Sequence, residues 1–305
     1  MKKLSVTIGL PTYVLPENVL GILDAVVRQK CHNIVLKEIL LFIDGNKKST
    51  RDVLPNKLDK RIRLIRSSKR RGFSGAVFAM LEKTSSDVFV LLNDDVFITD
   101  AHLLEKMCAP FCEDERIGLV GGKPIPITAQ NAIQEVGVTT FRVYDSFRYA
   151  LNKGNSKYTC DGMLLALSRK FYTDLLQYSV RSDLGTLDCY LYFYCITRNF
   201  RFYHERTARL FYIYPTSIKE YVMRNIRNNS NNYLLRKRFG SIVNKELKKP
   251  LIAYIRAVLT VFLAYPIHTM VATALGIYFH SKEKQFSTHF PEAWRSLDST
   301  KRLSG

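Results

Sequence analysis

Apolar positions along the first hundred residues recur with two different spacings. Short runs rich in Val, Ile, Leu and Phe are typical of buried strands, and they are separated by stretches whose apolar residues recur every three or four positions, as in a helix. The strand-like runs are residues 4–10, 38–44, 61–67 and 87–93, and the helical stretches follow Pro16 and Gly72. This alternation predicts an α/β fold with a mainly parallel sheet that is covered by helices on both faces.

Three of the predicted strands end in polar or conformationally special residues. These residues are Pro11, Thr12, Tyr13, Asp44, Asn93, Asp94 and Asp95. Ligands of such sheets bind beyond the carboxyl ends of the parallel strands, and these ends meet at one edge of the sheet. The sequence therefore predicts one shared site at this edge.

Two adjacent carboxylates, Asp94 and Asp95, directly follow an apolar strand. Asp is common in turns, so a simple turn is one explanation of the pair. The other explanation is a site for Mg²⁺ or Mn²⁺, in which carboxylates on a rigid strand end share the ion with phosphate oxygens and water. Lys69, Arg70 and Arg71, one element upstream, would provide basic surroundings for the phosphate.

Glycine turns, apolar strands and one aromatic-rich helix continue the pattern up to residue 212. The corresponding segments are residues 118–126, 160–171 and 185–212. The composition then changes after Pro215, where a segment rich in Lys and Arg begins. We therefore predict two regions, a first domain over residues 1–215 and a basic helical C-terminal region over residues 216–305.

Residues 257–279 contain no Asp, Glu, Lys or Arg. A bilayer-spanning helix needs about 20 apolar residues, so we predict a membrane-spanning or membrane-embedded segment. Pro266 and His268 weaken the spanning interpretation, and two shorter helices in the membrane interface or a buried hairpin are the alternatives. Lys and Arg are denser before this stretch than after it, which by the positive-inside rule places the first domain in the cytoplasm.

The formal net charge of the chain is +19. A surface this basic favours anionic partners, of which nucleotide phosphates, acidic lipid headgroups and nucleic acid are the main classes. Aromatic and basic residues do not alternate as they do in a stacking platform for single-stranded nucleic acid, except loosely around residues 198–206. We therefore expect no nucleic-acid partner.

Seven segments, taken in order, resemble those of family 2 glycosyltransferases with the GT-A fold. They are VTIGLPTY, LLFIDG, RRGFSGAVFAML, VFVLLNDDVFI, GLVGGKP, DGMLLALSRKF and LDCYLYFYCITRNFRFYHERTARLFY. Together they extend over residues 6–212. The resemblance implies the α/β fold of nucleotide-diphospho-sugar transferases, in which helices flank a mixed sheet. In this chain a helical, membrane-associated C-terminal segment would follow it.

The resemblance also assigns roles to individual residues. The matching positions are Pro11, Thr12, Tyr13 and Asp44 for the nucleotide pocket, Arg71 and Gly72 for the turn over the nucleotide, and Asp161 and Gly162 for the loop at the donor sugar and the acceptor. The D-x-D motif of the family falls on Asn93-Asp94-Asp95. Because the first acid is Asn here, Asp95 is the expected ligand of Mn²⁺ or Mg²⁺, and Asp94 is expected to face the ribose or the sugar.

The general base of the family lies in a Glu-Asp pair at the head of a helix, and the matching positions here are Leu187 and Asp188. Asp188 is the only acid in residues 185–195. It is therefore the expected catalytic base, which takes a proton from the acceptor hydroxyl. An Asp that caps the N-terminus of the helix is the alternative explanation.

Residues 221–229 resemble the Q-x-x-R-W region of processive, membrane-bound members of the family. Arg224 and Arg227 lie three residues apart, so they share a helix face and could reach a diphosphate. The Trp of that motif is absent from this segment. A solvated basic face near a membrane is an equally good explanation.

Together these features predict an inverting glycosyltransferase that depends on Mn²⁺ or Mg²⁺. It would move a sugar from a UDP-linked nucleotide-sugar donor to a lipid-linked or cell-envelope acceptor at a membrane. One alternative is a degenerate relative that binds nucleotide or an anionic membrane without catalysis. The other is a sugar-nucleotide pyrophosphorylase, but such enzymes have a basic, Gly-rich loop after the first strand, and residues 9–18 contain one Gly and no Lys or Arg.

Overall fold

The structure of the protein is a computed structural model. It describes residues 3–13, 18–45, 58–179, 184, 186–281 and 300, without the side chains of residues 227–231. Pro16, at the predicted start of the first helix, lies outside the described residues.

The described residues form an eight-stranded sheet. Its strands are β1 (Leu4–Thr12), β2 (Ile34–Asp44), β3 (Ile62–Ser67), β4 (Val88–Leu92), β5 (Val96–Phe97), β6 (Ile117–Pro126), β7 (Leu164–Ser168) and β8 (Arg201–Tyr212). Across the sheet their order is β3-β2-β1-β4-β7-β6-β8-β5. The first four strands in this order are parallel, as the sequence predicted, whereas β7 runs antiparallel to both β4 and β6. The sheet is therefore mixed, as the GT-A resemblance implied.

Helices cover both faces of this sheet. In chain order they are α1 (Asn18–Val27), α2 (Gly72–Leu81), α3 (Leu103–Cys108), α4 (Pro110–Glu113), α5 (Ala132–Phe147), α6 (Arg169–Tyr178), α7 (Leu187–Thr197), α8 (Ile218–Phe239), α9 (Ser241–Leu247), α10 (Leu251–Ala264) and α11 (Pro266–Ser281). The two helices predicted in the first half of the chain are confirmed as α1 and α2. Short 3₁₀ turns between Arg148 and Thr159 connect α5 to β7.

Alternating side chains divide the central strands between two hydrophobic cores. Leu40 and Phe42 of β2 pack with α2, α6 and α7 on one face of the sheet, whereas Leu41 of the same strand packs with α1 and α3 on the other. β4 is buried along its whole length because it has helices on both sides. Because successive side chains of a strand point to opposite faces, a continuous apolar run packs against helices on both faces of the sheet. The residues that follow β4 are therefore held by a rigid strand.

The apolar stretch after residue 250 forms two helices rather than one. α10 ends at Ala264, and α11 begins at Pro266, because proline has no backbone N–H with which to continue the preceding helix. Across the described residues, no helix is both long enough and apolar enough to cross a membrane. The structure thus has two shorter helices here, as in the alternative interpretation, and not the single helix of the spanning interpretation. Membrane association of this segment stays a prediction.

These two C-terminal helices pack against α5. Val143 and Phe147 of α5 form a small core with Val261 of α10. The guanidinium carbon of Arg142 lies 4.0 Å from the centre of the Tyr265 ring, at the junction of the two helices. The C-terminal region is thus fixed to a helix of the first region, and the domain boundary at residue 215 stays a prediction.

His204 is a buried histidine of β8 whose pKa is lowered to about 4. Burial is the main cause, and the positive charges of Arg148, Arg206 and Lys123 add to it. The Nδ1–H group of the ring donates to the Gly121 carbonyl oxygen at 3.1 Å, and this hydrogen bond opposes the shift. The folded protein therefore favours the neutral form of the ring.

Lowering the pH is expected to destabilise the protein through His204. The folded-state pKa of His204 lies below the ordinary value of 6.5. The contribution of the neutral ring to the free energy of unfolding is therefore complete above pH 6.5, and it is lost as the pH falls toward the folded-state pKa. A shift of this size corresponds to about 3 kcal/mol of unfolding free energy. The free energy of unfolding, measured with urea above pH 6.5 and near pH 4, should depend less on pH in His204→Gln than in the parent. The exposed His32→Gln is the control, and equal pH dependence in all three proteins would contradict the assignment.

Candidate active site

The ends of β1 and β4 lie side by side, as the sequence predicted. Thr12 Oγ1, at the end of β1, donates a 2.7 Å hydrogen bond to Oδ2 of Asp94. The side-chain amide of Asn18, at the start of α1, donates to the backbone oxygen of Asp94 at 3.0 Å. Thr12 and Asp94 are buried, as is Pro11 in β1. The acidic turn is thus fixed against the first strand, and contact between Asp94 and a ribose or sugar stays a prediction.

Asp44, at the end of β2, binds the start of α2. Its carboxylate oxygens accept the backbone N–H groups of Arg71 at 2.7 Å and Gly72 at 2.8 Å. Gly72 has a φ of 72°, in the left-handed region that favours glycine. A carboxylate in this position is stabilised by the free N–H groups at the helix N-terminus. Asp44, Arg71 and Gly72 therefore form one turn that the Asp44 carboxylate holds in place.

Tyr13 lies beside this turn. The guanidinium carbon of Arg70 is 3.9 Å from the centre of the Tyr13 ring. A Cβ added to Gly45 would lie 3.3 Å from the same ring. A cation and an aromatic face thus stand together next to the Asp44 turn. In the sequence, Arg70 was visible only as one member of a basic run.

Asp95, the predicted metal ligand, lies partly exposed in the turn between β4 and β5. Its Oδ2 is 3.4 Å from Oγ1 of Thr300. Asp95 and Asn93 offer oxygen donors, which Mg²⁺ prefers and usually combines with phosphate oxygens and water. Within the ranges that the structure describes, no three His, Cys, Asp or Glu side chains gather into a metal site. The oxygen atoms of Asp95 and Asn93 are of the kind that Mg²⁺ and Mn²⁺ bind together with substrate oxygens and water.

Asp161, Gly162 and Asp188 come together from two separate segments. A Cβ added to Gly162 would lie 3.4 Å from Cβ of Asp188 and 3.7 Å from its Cγ. Burial raises the pKa of Asp161, and the negative charge of Asp188 raises it further. The backbone N–H of Met163 donates to Oδ1 of Asp161 at 3.0 Å and opposes this rise. The loop before β7 and the start of α7 therefore form one acidic site, and the roles of these residues stay predictions.

Asp188 lies in the first turn of α7 and not at its N-cap. The cap position is Thr186, and the helix begins at Leu187. The alternative explanation of Asp188 as the capping residue is therefore wrong. A carboxylate in the first turn still interacts favourably with the helix dipole, and its role as general base stays a prediction.

Lys157 is a cation near Asp188 that no sequence motif indicated. It lies in the 3₁₀ turn that ends at Thr159. Burial lowers the pKa of Lys157, but Cys189 and Asp188 more than offset burial, so the net shift is upward. The Asp188 carboxylate therefore lies near the ammonium group of Lys157 and near the carboxyl group of Asp161.

Arg224 of α8 interacts electrostatically with Asp161 in the loop before β7 and with Asp95 after β4. Its guanidinium carbon is 4.4 Å from the centre of the Tyr214 ring and 5.3 Å from that of Tyr212. Burial lowers the pKa of Arg224, but the net shift is upward. The upward contributions come, in decreasing order, from Tyr214, Tyr212, Asp161 and Asp95. The side chain of Arg227 lies outside the described residues, so a shared role for the two arginines stays a prediction.

A sequence profile described as Glycosyl transferase family 2 matches residues 7–176 of the chain. The chain belongs to glycosyl transferase family 2. It is therefore a glycosyltransferase, as the resemblance of its motifs implied. A search among curated protein sequences found no match.

Solved structures of other glycosyltransferases share the fold. One is the mannosyltransferase PcManGT from Pyrobaculum calidifontis in complex with GDP-Man and Mn²⁺, with a TM-score of 0.58 and 16% identity over 94% of this chain and 84% of that chain. Another is glucosyl-3-phosphoglycerate synthase from Mycobacterium tuberculosis in complex with Mn²⁺, UDP-Glc and phosphoglyceric acid, with a TM-score of 0.51 and 14% identity over 78% and 80%. At these identities the similarity establishes the fold alone.

In this family 2 glycosyltransferase, the predicted residues fall into two groups. The strand-end group consists of Pro11, Thr12, Tyr13, Asp44, Arg71, Gly72, Asp94 and Asp95. The acidic loop group consists of Asp161, Gly162 and Asp188. Arg224 is coupled to both groups through Asp95 and Asp161. Lys157, which no sequence motif indicated, reaches the acidic loop group only through tertiary packing.

Proposed function

We propose that this glycosyltransferase transfers a sugar from a UDP-linked donor to an acceptor hydroxyl with inversion at the anomeric carbon. The acceptor in this proposal is lipid-linked or belongs to the cell envelope. The observation that carries the proposal is the contact between the two groups. The backbone N–H of Asn93, in the acidic turn after β4, donates to the Met163 carbonyl oxygen at 3.3 Å, and Gly162 of the same loop lies against Asp188. Transfer needs such an arrangement, because a diphosphate and an acceptor hydroxyl must meet at one carbon atom.

The strand-end group would hold the nucleotide. Arg70 and Arg71 bring positive charge for the phosphates, and Tyr13 offers an aromatic face to a base. Asp95, with Asn93, would hold Mn²⁺ or Mg²⁺, which when bound neutralises the diphosphate and makes it a better leaving group. PcManGT and glucosyl-3-phosphoglycerate synthase were both solved with Mn²⁺ and a nucleotide sugar, which supports this assignment.

The acidic loop group would carry the chemistry at the acceptor. Asp188 accepts the proton of the acceptor hydroxyl while the hydroxyl oxygen bonds to the anomeric carbon, and the bond from that carbon to the diphosphate oxygen breaks. Asp161 precedes Gly162, which lies against Asp188, so in this proposal Asp161 contacts the sugar or the acceptor next to the base. Arg224 would offset the negative charge that develops on the diphosphate.

The acceptor class is inferred from the C-terminal helices. α11 contacts α8, the helix that carries Arg224, and both α10 and α11 expose apolar side chains. In this proposal a lipid-linked acceptor approaches the active site from the side of these helices. We also propose that the enzyme is membrane-associated, with its catalytic domain in the cytoplasm, and that it serves polysaccharide or glycolipid synthesis. The basic residues after residue 281 that entered the orientation argument lie outside the described residues.

A thermal-shift screen of nucleotide sugars tests the donor. With Mn²⁺ present, UDP-sugars are expected to raise the unfolding temperature, because a ligand that binds only the folded state stabilises it by about 2.7 kcal/mol at about a hundredfold excess over its Kd. UMP, and the same sugars with EDTA, are the controls. Stabilisation by GDP-sugars alone would contradict the UDP assignment, and a flat response to every nucleotide sugar would contradict the donor class.

A further inference from the structure

Among the described residues, most of the exposed large apolar side chains lie on α10 and α11. The most exposed on these two helices are Leu251, Ile252, Leu263, Ile267, Met270 and Ile277, whose exposed fractions range from 64% to 85%. We call these six residues the apolar face. The opposite side of α10 is already buried against α5, since Ala257 and Val261 belong to the small core there. Both sides of this helix are therefore apolar, and only one of them is covered.

An apolar face of this kind is unusual on a protein that stays free in water. In residues 251–281 the only Asp, Glu, Lys or Arg is Arg256. Soluble monomers rarely expose contiguous apolar patches larger than a few hundred Å², and larger patches mark surfaces that bind a membrane or another protein. The apolar face therefore needs an occupant.

The basic residues that precede α10 in the chain, and the one within it, indicate this occupant. Exposed lysines precede α10 at positions 237, 245 and 248, and the whole chain carries a formal charge of +19. Arg256 is exposed on α10 itself, where a long apolar stem allows its charged end to reach headgroups while the helix is immersed. We infer that the apolar face docks on an anionic lipid bilayer, with these cations at the headgroups.

The lengths of the two helices fix the mode of docking. α10 has 14 residues and α11 has 16, which at 1.5 Å per residue gives lengths of about 21 and 24 Å. Both are shorter than the hydrocarbon core of about 30 Å. Because α5 covers their other side, the pair lies in the plane of the bilayer with its apolar face immersed by about 5–10 Å. The docking stands on the fold alone, and only its consequence, delivery of a lipid-linked acceptor to Asp188, rests on the proposed function.

Flotation of the full-length protein with lipid vesicles tests the docking. The protein is expected to float with vesicles of phosphatidylcholine and phosphatidylglycerol, to float less with phosphatidylcholine alone, and to lose part of the binding at high salt. The double variant Ile252→Asp/Leu263→Asp should weaken binding by about 100-fold or more, because it replaces two immersed apolar side chains by charged ones. Ile218→Asp is the matched control, since Ile218 is 65% exposed at the start of α8, outside the apolar face.

Three outcomes of this experiment would overturn the inference. The first is that the parent does not float with anionic vesicles. The second is that the double variant floats as well as Ile218→Asp. The third is that the parent is a dimer which the double variant dissociates while vesicles leave the parent unbound, because the apolar face would then be an interface between two copies. None of these measurements needs a donor or an acceptor, so their failure is distinguishable from failure of the transferase proposal.

The in-plane mode has its own test. Single cysteines at Ile252, Leu263 and Ile277, labelled with an environment-sensitive dye, report depth through quenching by brominated lipids. The background replaces the exposed Cys112 and the partly exposed Cys31 by serine. In-plane docking predicts similar depths at all three positions, whereas a much deeper position at Leu263 than at the other two would overturn it.

Discussion

Replacement of Asp188 by Asn is expected to lower glycosyl transfer by about 10²–10⁴-fold, the typical contribution of general-base catalysis. The amide has the same size but cannot accept the proton of the acceptor hydroxyl. The fold should survive, because Asp188 lies in the first turn of α7 and Thr186 occupies the cap position. Affinity for UDP should stay near the parental value, since the strand-end group lies on other elements. Turnover and UDP affinity, measured with one acceptor, give both quantities.

The matched control for this variant is Asp24→Asn. Asp24 forms an exposed ion pair with Arg28 on α1, at 2.9 Å, and exposed pairs of this kind contribute little. Asp24→Asn should therefore behave like the parent in both assays. If Asp188→Asn transferred sugar nearly as well as the parent, Asp188 would not be the base. Asp161, which lies close to Asp188, would then be the next candidate.

Replacement of Asp95 by Asn is expected to abolish the Mn²⁺ dependence of UDP binding. A neutral amide is a far weaker ligand for Mn²⁺ or Mg²⁺ than a carboxylate, and without the ion the diphosphate charge is left uncompensated. The overall fold should remain, because Asp95 is only partly buried in a turn at the end of a strand. Calorimetric titration of UDP with Mn²⁺ and with EDTA measures the effect.

The same Asp24→Asn variant is the control for Asp95→Asn. Its UDP affinity should rise on addition of Mn²⁺ by the parental factor. Parental Mn²⁺-dependent affinity in Asp95→Asn would remove Asp95 from the metal site. Equal loss in both variants would show that the loss does not arise at the strand end.

The strand-end group could be predicted because its signals are local. The apolar run of β4 is followed at once by Asn93, Asp94 and Asp95, and the rule for parallel sheets brings such ends to one edge. The hydrogen bond from Thr12 to Asp94 confirms this neighbourhood. What local signals do not carry is side-chain direction, so the binding of Asp44 to the turn at Gly72 emerged only from the structure.

Other features depend on contacts between distant segments or on small shifts of boundaries. The position of the Arg224 guanidinium depends on its packing against the rings of Tyr212 and Tyr214, which no sequence motif predicts. The structure begins α7 at Leu187, so the N-cap is Thr186 and not Asp188. Both residue types are suited to an N-cap, and sequence patterns place helix ends only to within one or two residues. For α10 and α11, hydropathy did not distinguish one helix from two, and Pro266 was the signal that did.

Release of UDP from a UDP-sugar, in the presence of a lipid extract as the source of acceptor, tests the central claim most directly. The account predicts release that requires Mn²⁺ or Mg²⁺, that stops with EDTA, and that is strongly reduced in both Asp95→Asn and Asp188→Asn. It further predicts that Asp188→Asn still binds UDP as the parent does. Tight, Mn²⁺-dependent binding of nucleotide sugars without any release would contradict the account, and would instead support a binding protein in which Asn93 and Leu187 replace the acids of the family motifs.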